Sequence, residues 1–228
     1  GDDESGSGND FAENDIDAVD QMLDSPTNNF CTLNPLDNLS TTYSEGNTKI
    51  TQSSYDYNSR GSISVDSGKW YWEVWMDDTH GEFGVCENSK MPNSDPQSNY
   101  PCYFIYSNGS STLKWTNVSS GANYVALSPS AQFAADALVM IAYDGDNGKL
   151  YYGINGSWQL SADPAAGTNP FISSIDSGFG GSIVPFFGSG ESDARNFIVN
   201  FGQDSSFAGE KTAQGETDSN GIGDFYYE

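Results

Sequence analysis

Positively charged residues are scarce in this chain. Its 228 residues include eight Lys and Arg against 32 Asp and Glu, which gives a net charge of −24. Binding to DNA or RNA requires clustered Lys and Arg that neutralise phosphates, and attraction to an anionic membrane surface requires the same charges. The composition therefore predicts a protein that binds no nucleic acid and does not insert into a membrane.

Cysteine and histidine are also rare. The three cysteines, Cys31, Cys86 and Cys102, are few and odd in number, and a disulfide framework needs an even number. We expect three reduced, mostly buried thiols, and the sequence leaves a Cys86–Cys102 bridge open. The sequence contains no CxxC motif, so a zinc site is not predicted. The single histidine, His80, has no serine or cysteine motif beside it, so no catalytic triad is predicted.

Long apolar runs are absent as well. No stretch of about 18 apolar residues occurs, so the sequence predicts no membrane-spanning helix. Charged residues make up only 18% of the chain, and the surface should consist largely of Ser, Thr, Asn and Gly. The chain begins at Gly1 with neither an initiator methionine nor a signal peptide, which indicates a processed product or part of a longer protein.

What the sequence does contain is β-structure, most clearly between Leu138 and Trp158. The apolar run LVMIAY predicts a strand covered on both faces. Asp, Asn and Gly at 144–148 predict a chain reversal, because these residues tolerate positive φ. Asn155-Gly156 predicts a type I′ hairpin turn. In the strand between the two turns, one face should carry Leu150, Tyr152 and Ile154.

Aromatic residues alternate along a second strong strand signal, Lys69–Met76, with the sequence KWYWEVWM. Period-two alternation with large aromatic side chains is typical of a central strand. An antiparallel all-β sandwich or barrel is therefore predicted. Further strands are expected at Glu82–Cys86, Cys102–Tyr106, Ser111–Asn117, Ile183–Phe187 and Asn196–Phe201.

The two ends of the chain differ from its centre. Residues 1–29 form an acidic tail or linker, in which the spacing of apolar residues over 11–23 favours a short amphipathic helix. That helix either docks on its own domain or frays, or it anchors the domain to a larger assembly. The main domain is predicted over 30–205, and 206–228 form a polar C-terminal extension.

Four stretches of the sequence, taken together and in order, resemble SPRY domains. The resemblance covers roughly residues 30–205 and implies a concanavalin-like jelly roll, a sandwich of two antiparallel sheets. One departure is Phe83-Gly84-Val85, which stands where the family usually has Gly-Ile-Gly. The matching stretches are Gly68–Met76, Glu82–Cys86, Leu138–Gly156 and Ile183–Gln203.

The flanks are similar to segments beside SPRY-type modules in structural proteins of tailed bacteriophages. They are Thr27–Asp37 and Phe201–Tyr227. This resemblance implies a virion module in a tail fibre, spike, capsid fibre or decoration, assembled in the host cytoplasm and present in multiple copies or as a homo-oligomer. Its partners would be other virion proteins and a host surface glycan or protein. The alternative is a secreted bacterial lectin-like adhesin or filament subunit.

The family resemblance also implies that partners bind through variable loops at one end of the sandwich. Candidate loops are Ser53–Arg60, Asn88–Tyr100 and Lys114–Tyr124. Exposed aromatic and arginine side chains are typical recognition anchors, and aromatic faces also suit sugars. Ordinary packing beneath a loop is the alternative for each. The predicted ligand-binding residues are Tyr55, Tyr57, Arg60, Trp115 and Tyr124.

One acidic loop near the C-terminus is a candidate calcium site. Oxygen-bearing side chains recur at alternate positions before a glycine turn, followed by a distal carboxylate, which is the arrangement of a calcium loop. The four candidate ligands are Glu216, Asp218, Asn220 and Asp224. A solvated turn is the alternative. The turn at 144–148 is a weaker candidate, because Lys149 stands where the loop glycine would be.

Catalysis is not predicted. Concanavalin-like folds include glycosidases, which need paired carboxylates along one strand. The aromatic strand offers Glu73 alone, and Asp77 and Asp78 fall in the following turn. We therefore predict a binding or structural module and keep a hydrolase with a degenerate site as a third class of function.

Overall fold

The computed structural model describes most of the chain, and its regular structure is β-strands with three short 3₁₀ turns. No helix in the described part is long and apolar enough to cross a membrane. The helix predicted at 11–23 lies almost wholly outside the described residues. The residues that the structure describes are 5–9, 12, 14, 23–25, 28–37, 41–52, 58–89, 102–109, 112–117, 123–127, 132–175, 181–188 and 195–227.

Thirteen strands lie within the described residues. The 3₁₀ turns are Pro35–Asp37, Glu45–Asn47 and Gln159–Ser161. The strands are β1 Thr41–Ser44, β2 Lys49–Gln52, β3 Asn58–Arg60, β4 Lys69–Met76, β5 His80–Glu87, β6 Cys102–Asn108, β7 Thr112–Asn117, β8 Asn123–Ala126, β9 Ala137–Asp144, β10 Lys149–Ile154, β11 Ser157–Trp158, β12 Ile183–Gly188 and β13 Arg195–Asn200.

The strands form two sheets. The larger sheet has the order β1-β2-β13-β4-β9-β10-β11, and the smaller has the order β3-β12-β5-β6-β7-β8. All pairs are antiparallel, including those that join strands distant in sequence, such as β13 with β4 and β12 with β5. The all-β class and the two-sheet antiparallel sandwich implied by the sequence are confirmed.

The two strongest sequence signals, β4 and β9, lie side by side at the centre of the larger sheet. Trp72 is opposite Ile141, which is opposite Tyr152 on β10. All three side chains belong to the main core between the sheets. Because side chains alternate along a strand, the neighbouring residues of β4 point to the outer face of the sheet.

The hairpin between β10 and β11 has the predicted geometry. Asn155 and Gly156 have φ values of 48° and 77°, as a type I′ turn requires. The Asn155 side chain also accepts a hydrogen bond from the Leu138 amide at 2.8 Å. The turn therefore attaches β10 to the far end of β9 as well as reversing the chain.

Aromatic rings fill the space between the sheets. Phe83 of the smaller sheet stacks on Phe133 at 5.8 Å and meets Phe197 of the larger sheet edge-on at the same distance between ring centroids. Such pairs contribute about 0.5–1.5 kcal/mol beyond the burial of their area. These contacts tie β5 to β13 across the core.

The C-terminal segment, predicted as a polar extension, packs against the outer face of the larger sheet. Phe207 is fully buried there with Trp75, Leu138 and Ile198. Tyr226 and Tyr227 pack against this cluster. The segment thus forms a covering layer on the sandwich.

The cysteines are free thiols. Cys86 and Cys102 are buried and stand directly opposite each other on β5 and β6, within the outer cluster of the smaller sheet. Burial raises the pKa of Cys86 to about 12. Cys31 is half-buried, and burial raises the pKa of its thiol too.

Candidate functional site

The predicted ligand-binding residues are not gathered into one site. Tyr55 and Tyr57 lie outside the described residues. Trp115 and Tyr124 are cross-strand partners in β7 and β8, at the edge of the smaller sheet, and their backbone is strand rather than loop. Whether these two side chains bind a ligand stays a prediction.

Arg60 differs from its expected role as an exposed anchor, because it is only 5% exposed. Its guanidinium forms a two-pronged pair with Asp37, with Nε to Oδ2 at 2.9 Å and Nη2 to Oδ1 at 2.6 Å. The hydrogen bonds to Asp37 raise the pKa of Arg60, against the effect of burial. The residue therefore joins β3 to the 3₁₀ turn at Pro35–Asp37 and is withheld from a ligand.

The predicted calcium ligands do not converge. Oδ1 of Asp218 accepts the backbone N–H groups of Asn220, Ile222 and Gly223 at 3.0–3.3 Å. Asp224 instead accepts the Ser205 amide at 3.2 Å. In the part of the chain that the structure describes, no group of three or more His, Cys, Asp or Glu is placed to hold a metal ion. The loop is an Asp-centred backbone turn.

Glu216, the remaining predicted ligand, takes part in this turn through its backbone. It exchanges two hydrogen bonds with Phe225, at 2.9 and 2.7 Å, and its side chain is exposed. The bridge closes the loop that Asp218 organises. The same sequence pattern that suggested metal ligands thus serves to fold the C-terminal segment back on itself.

Glu73, the one carboxylate on the aromatic strand, is fully buried on the outer face of the larger sheet. It accepts the amides of Tyr226 and Tyr227 at 2.9 and 2.8 Å, the Tyr71 hydroxyl at 2.8 Å and the Asn200 amide group at 3.1 Å. The pKa of Glu73 is raised, because the effect of burial exceeds that of the four hydrogen bonds that act to lower it. Since every neighbour donates, the geometry favours the carboxylate.

The histidine region is likewise a structural cluster. Nδ1 of His80 lies 3.1 Å from Asp78 Oδ1 and 3.0 Å from Thr79 Oγ1. Arg195 Nη1 lies 2.7 Å from the same Asp78 oxygen, without the alignment of a hydrogen bond. Within the described ranges, no serine or cysteine is hydrogen-bonded to the imidazole. The arrangement joins the β4–β5 turn to β13.

Asp78 gives a pH prediction. Burial acts to raise its pKa, but hydrogen bonds from His80 and Thr79 and the charge of Arg195 lower it from 3.8 to about 2. The carboxylate therefore stabilises the fold above the unfolded-state pKa, and this stability is lost as the pH falls from 3.8 towards 2. We expect Asp78→Asn to be less stable than the wild type at pH 6 in urea unfolding, with the difference narrowing steadily below pH 4. A difference that is unchanged at pH 2 would contradict this assignment.

An aromatic cleft that the sequence did not reveal opens on the outer face of the larger sheet. We call it the sheet cleft; its volume is about 420 Å³. Its floor is the cross-strand row Tyr71, Ala142 and Tyr151 of β4, β9 and β10. Small Ala142 between two tyrosines makes the depression. Trp158 stands at one side, 6.2 Å from the Tyr71 ring and edge-on to it.

The wall of the sheet cleft is a short loop held in place by two lysines. Lys69 donates to the carbonyl of Ala165 at 3.0 Å, and Lys149 donates to the carbonyl of Gly167 at 2.9 Å. The Asp163 side chain accepts the Ala166 amide at 2.9 Å and stiffens the loop. The cleft is therefore preformed by hydrogen bonds.

A second cleft of about 560 Å³, the end cleft, lies where the N-terminal and C-terminal segments cross the end of the sandwich. Its lining includes Phe30, Trp72 and Asp218. The two clefts share Lys69, Trp70 and Tyr71 as lining residues. Trp70, 40% exposed, stands between them.

Part of this site was open to sequence reasoning. Alternation along KWYWEVWM places Tyr71 on the outer face, and the Asn155-Gly156 turn places Trp158 just after a hairpin. The depression itself depends on Ala142, whose neighbours across the sheet are 71 residues and 9 residues away in sequence. No local pattern carries that information.

Solved structures with a similar fold include two SPRY domains and stonustoxin. The SPRY domain of human HERC1 matches with a TM-score of 0.53 and 14% sequence identity, over 73% of this chain and 96% of that one. The TRIM65 PSpry domain matches with a TM-score of 0.54 and 17% identity, over 75% and 92%. Stonustoxin matches with a TM-score of 0.50 and 19% identity, over 75% of this chain and 27% of that one. No protein-family model and no curated protein sequence matches.

Proposed function

We propose that this chain is a non-enzymatic binding module whose ligand docks in the joined sheet and end clefts. The observation that supports this most directly is a preformed aromatic cleft on a rigid sheet, with the exposed Trp70 between it and the end cleft. Ligand sites are typically concave, mostly apolar and aromatic, and carry a few fixed polar groups. The sheet cleft has this composition.

The two residues with catalytic potential support a binding role. Glu73 is fully buried and already accepts four hydrogen bonds, so a substrate cannot reach it without displacing the C-terminal segment. His80 is engaged with Asp78 and Thr79. Neither provides the pair of open carboxylates or the nucleophile and base that hydrolysis requires.

The context that we propose is a phage particle. The support is the likeness of the flanking sequences to virion proteins of tailed phages. A module displayed in a tail fibre, spike or capsid decoration would adhere to the host surface or take part in assembly. Weak binding at single clefts would be strengthened by the number of copies on the particle.

Cell binding tests this function. Biotinylated chain on fluorescent streptavidin tetramers is expected to stain a subset of a panel of bacterial strains in flow cytometry, because four copies raise the avidity over the monomer. Trp70→Ala should reduce staining about tenfold or more, since exposed tryptophans at the centre of a site act as anchors. Leu36→Ala is the matched control, because Leu36 is 84% exposed and lines neither cleft.

Two results would overturn the proposal. Absence of staining on all strains of the panel would contradict the adhesion role. Release of reducing ends from bacterial polysaccharide by the purified chain, abolished in Glu73→Gln, would show that it is a hydrolase. The alternative, a secreted lectin-like adhesin or filament subunit, would use the same clefts. Sequencing the neighbourhood of the gene separates the two, because capsid, portal and tail genes beside it would favour the virion module.

A further inference from the structure

The joined clefts have the chemistry of a carbohydrate site, and we infer that their ligand is an uncharged oligosaccharide lying across Trp70. This inference rests on the proposed binding function and adds the class of ligand. It uses three features of the described residues, which are the aromatic faces, two buried polar groups without partners, and the local balance of charge.

The aromatic faces provide the platform. Trp70 is 40% exposed between the clefts, and Tyr71 and Trp158 line the sheet cleft beside it. An aromatic face carries partial negative charge, so it attracts the partly positive C–H groups on the flat side of a sugar ring. Tyr71 is fixed for this role by its hydrogen bond to Glu73 and its ring contact with Phe225 at 5.1 Å.

Each cleft also has one buried polar group without a partner. The Tyr151 hydroxyl in the sheet cleft and the Trp72 indole N–H in the end cleft both belong to side chains only 1% exposed, and neither has a hydrogen-bond partner. Leaving a buried donor unpaired costs about 1–3 kcal/mol. A ligand that carries a hydroxyl in each cleft would pair with both groups, because a hydroxyl both donates and accepts hydrogen bonds.

The charges of the sheet cleft favour a neutral ligand. A cation would meet Lys69 along the wall, and an anion would meet Asp144 and Asp163 in a protein with a net charge of −24. Both oxygens of Asp144 are already used by Asn147, at 3.1 and 2.8 Å. The other charged side chains described in the lining are also engaged within the protein, since Lys69 donates to the Ala165 carbonyl at 3.0 Å and Asp163 accepts the Ala166 amide at 2.9 Å.

The layout favours an oligosaccharide over a peptide. The clefts lie on either side of Trp70, so a ligand that reaches both polar groups must extend past one ring. A peptide bound by strand addition needs a free sheet edge. β9, the middle strand of the floor, is paired along its length with β4 and with β10, so a peptide cannot add to it as a strand.

A glycan array tests the inference on the full chain. The probes are neutral glucan, mannan and galactan oligosaccharides, with sialylated and sulfated oligosaccharides as the anionic arm. We expect binding within the neutral arm, followed by titration of the best oligosaccharide through tryptophan fluorescence. Trp70→Ala should weaken affinity about tenfold or more, and Tyr151→Phe, which removes only the hydroxyl, about fivefold. Leu36→Ala should bind like the wild type.

Treatment of stained cells separates this inference from the function it rests on. Periodate, which cleaves sugar diols, should abolish staining, and protease should leave it intact. Staining that survives periodate but not protease would overturn the carbohydrate inference while the binding function stands. Binding confined to the anionic arm, or neutral binding unchanged by both Trp70→Ala and Tyr151→Phe, would overturn it as well. Melting temperatures of the variants within a few degrees of wild type confirm that each is folded.

Discussion

Replacing Asp37 with alanine is expected to destabilise the protein by about 3–5 kcal/mol, because it breaks a buried ion pair. Asp37 is 2% exposed and Arg60 is 5% exposed, so the substitution leaves a buried guanidinium without its anion. Asp37 also accepts the Arg60 backbone amide at 3.0 Å and the Asn34 side chain at 3.1 Å. Urea unfolding at pH 7, followed by tryptophan fluorescence, measures the change.

The double variant Asp37→Ala with Arg60→Met provides the control. It removes both charges and places an apolar side chain at position 60. Its loss of unfolding free energy should therefore be smaller than the sum of the losses in the two single variants. This comparison separates the unpaired charge from loss of packing. A loss below about 1 kcal/mol for Asp37→Ala would show that Arg60 finds water or another partner.

The second large effect is expected at Glu73. Removing the carboxylate in Glu73→Ala leaves the amides of Tyr226 and Tyr227 without acceptors, and also the Tyr71 hydroxyl. Because hydrogen bonds to a buried charged group are worth about 1.5–3 kcal/mol each and the C-terminal segment can relax into water, we expect a loss of about 2–4 kcal/mol. Hydrogen exchange at the amides of Tyr226 and Tyr227 should rise sharply.

Two matched variants sharpen this test. Glu73→Gln keeps the side-chain volume but points an amide N–H₂ at a donor, so its free energy of unfolding should lie between those of the wild type and Glu73→Ala. Glu210→Ala removes an exposed glutamate of the same segment and should change neither stability nor exchange. Protected amides at Tyr226 and Tyr227 in Glu73→Ala would show that side-chain packing alone holds the segment.

The Glu73 result also bears on the clefts. Glu73 fixes the Tyr71 hydroxyl, and Tyr71 lines both clefts. Tyr227 lies against Gly156 and lines the end cleft. Glu73→Ala, which releases the C-terminal segment, should therefore weaken ligand binding even though Trp70 itself is unchanged.

The strands were largely predictable from sequence. The alternation in Lys69–Met76 placed Trp70, Trp72, Val74 and Met76 on one face, and the last three lie in the core while Trp70 is 40% exposed. Asn155-Gly156 predicted a type I′ turn, and the observed φ values are 48° and 77°. Strand signals are local, because side chains alternate with period two and a type I′ turn needs two residues of positive φ. The two-sheet arrangement followed only from the likeness of four motifs to SPRY domains.

The site depended on the tertiary structure. Arg60 looked like a loop anchor and is instead paired with a residue 23 positions earlier, and Glu73 is bound by amides 153 and 154 positions later. The acidic loop at 216–224 has the spacing of calcium ligands, but its Asp218 oxygen is taken by backbone amides. Whether a polar side chain is free for a ligand depends on neighbours that the order of strands in the sheet provides.

The sequence by itself determined which residues form strands and which of them face the core, because both follow from alternation and turn chemistry over a few neighbouring residues. Only the tertiary structure decided where the surface is concave and which charges are already paired. Ala142 forms the floor of the sheet cleft because β9 lies between β4 and β10, and that adjacency is a long-range property of the fold.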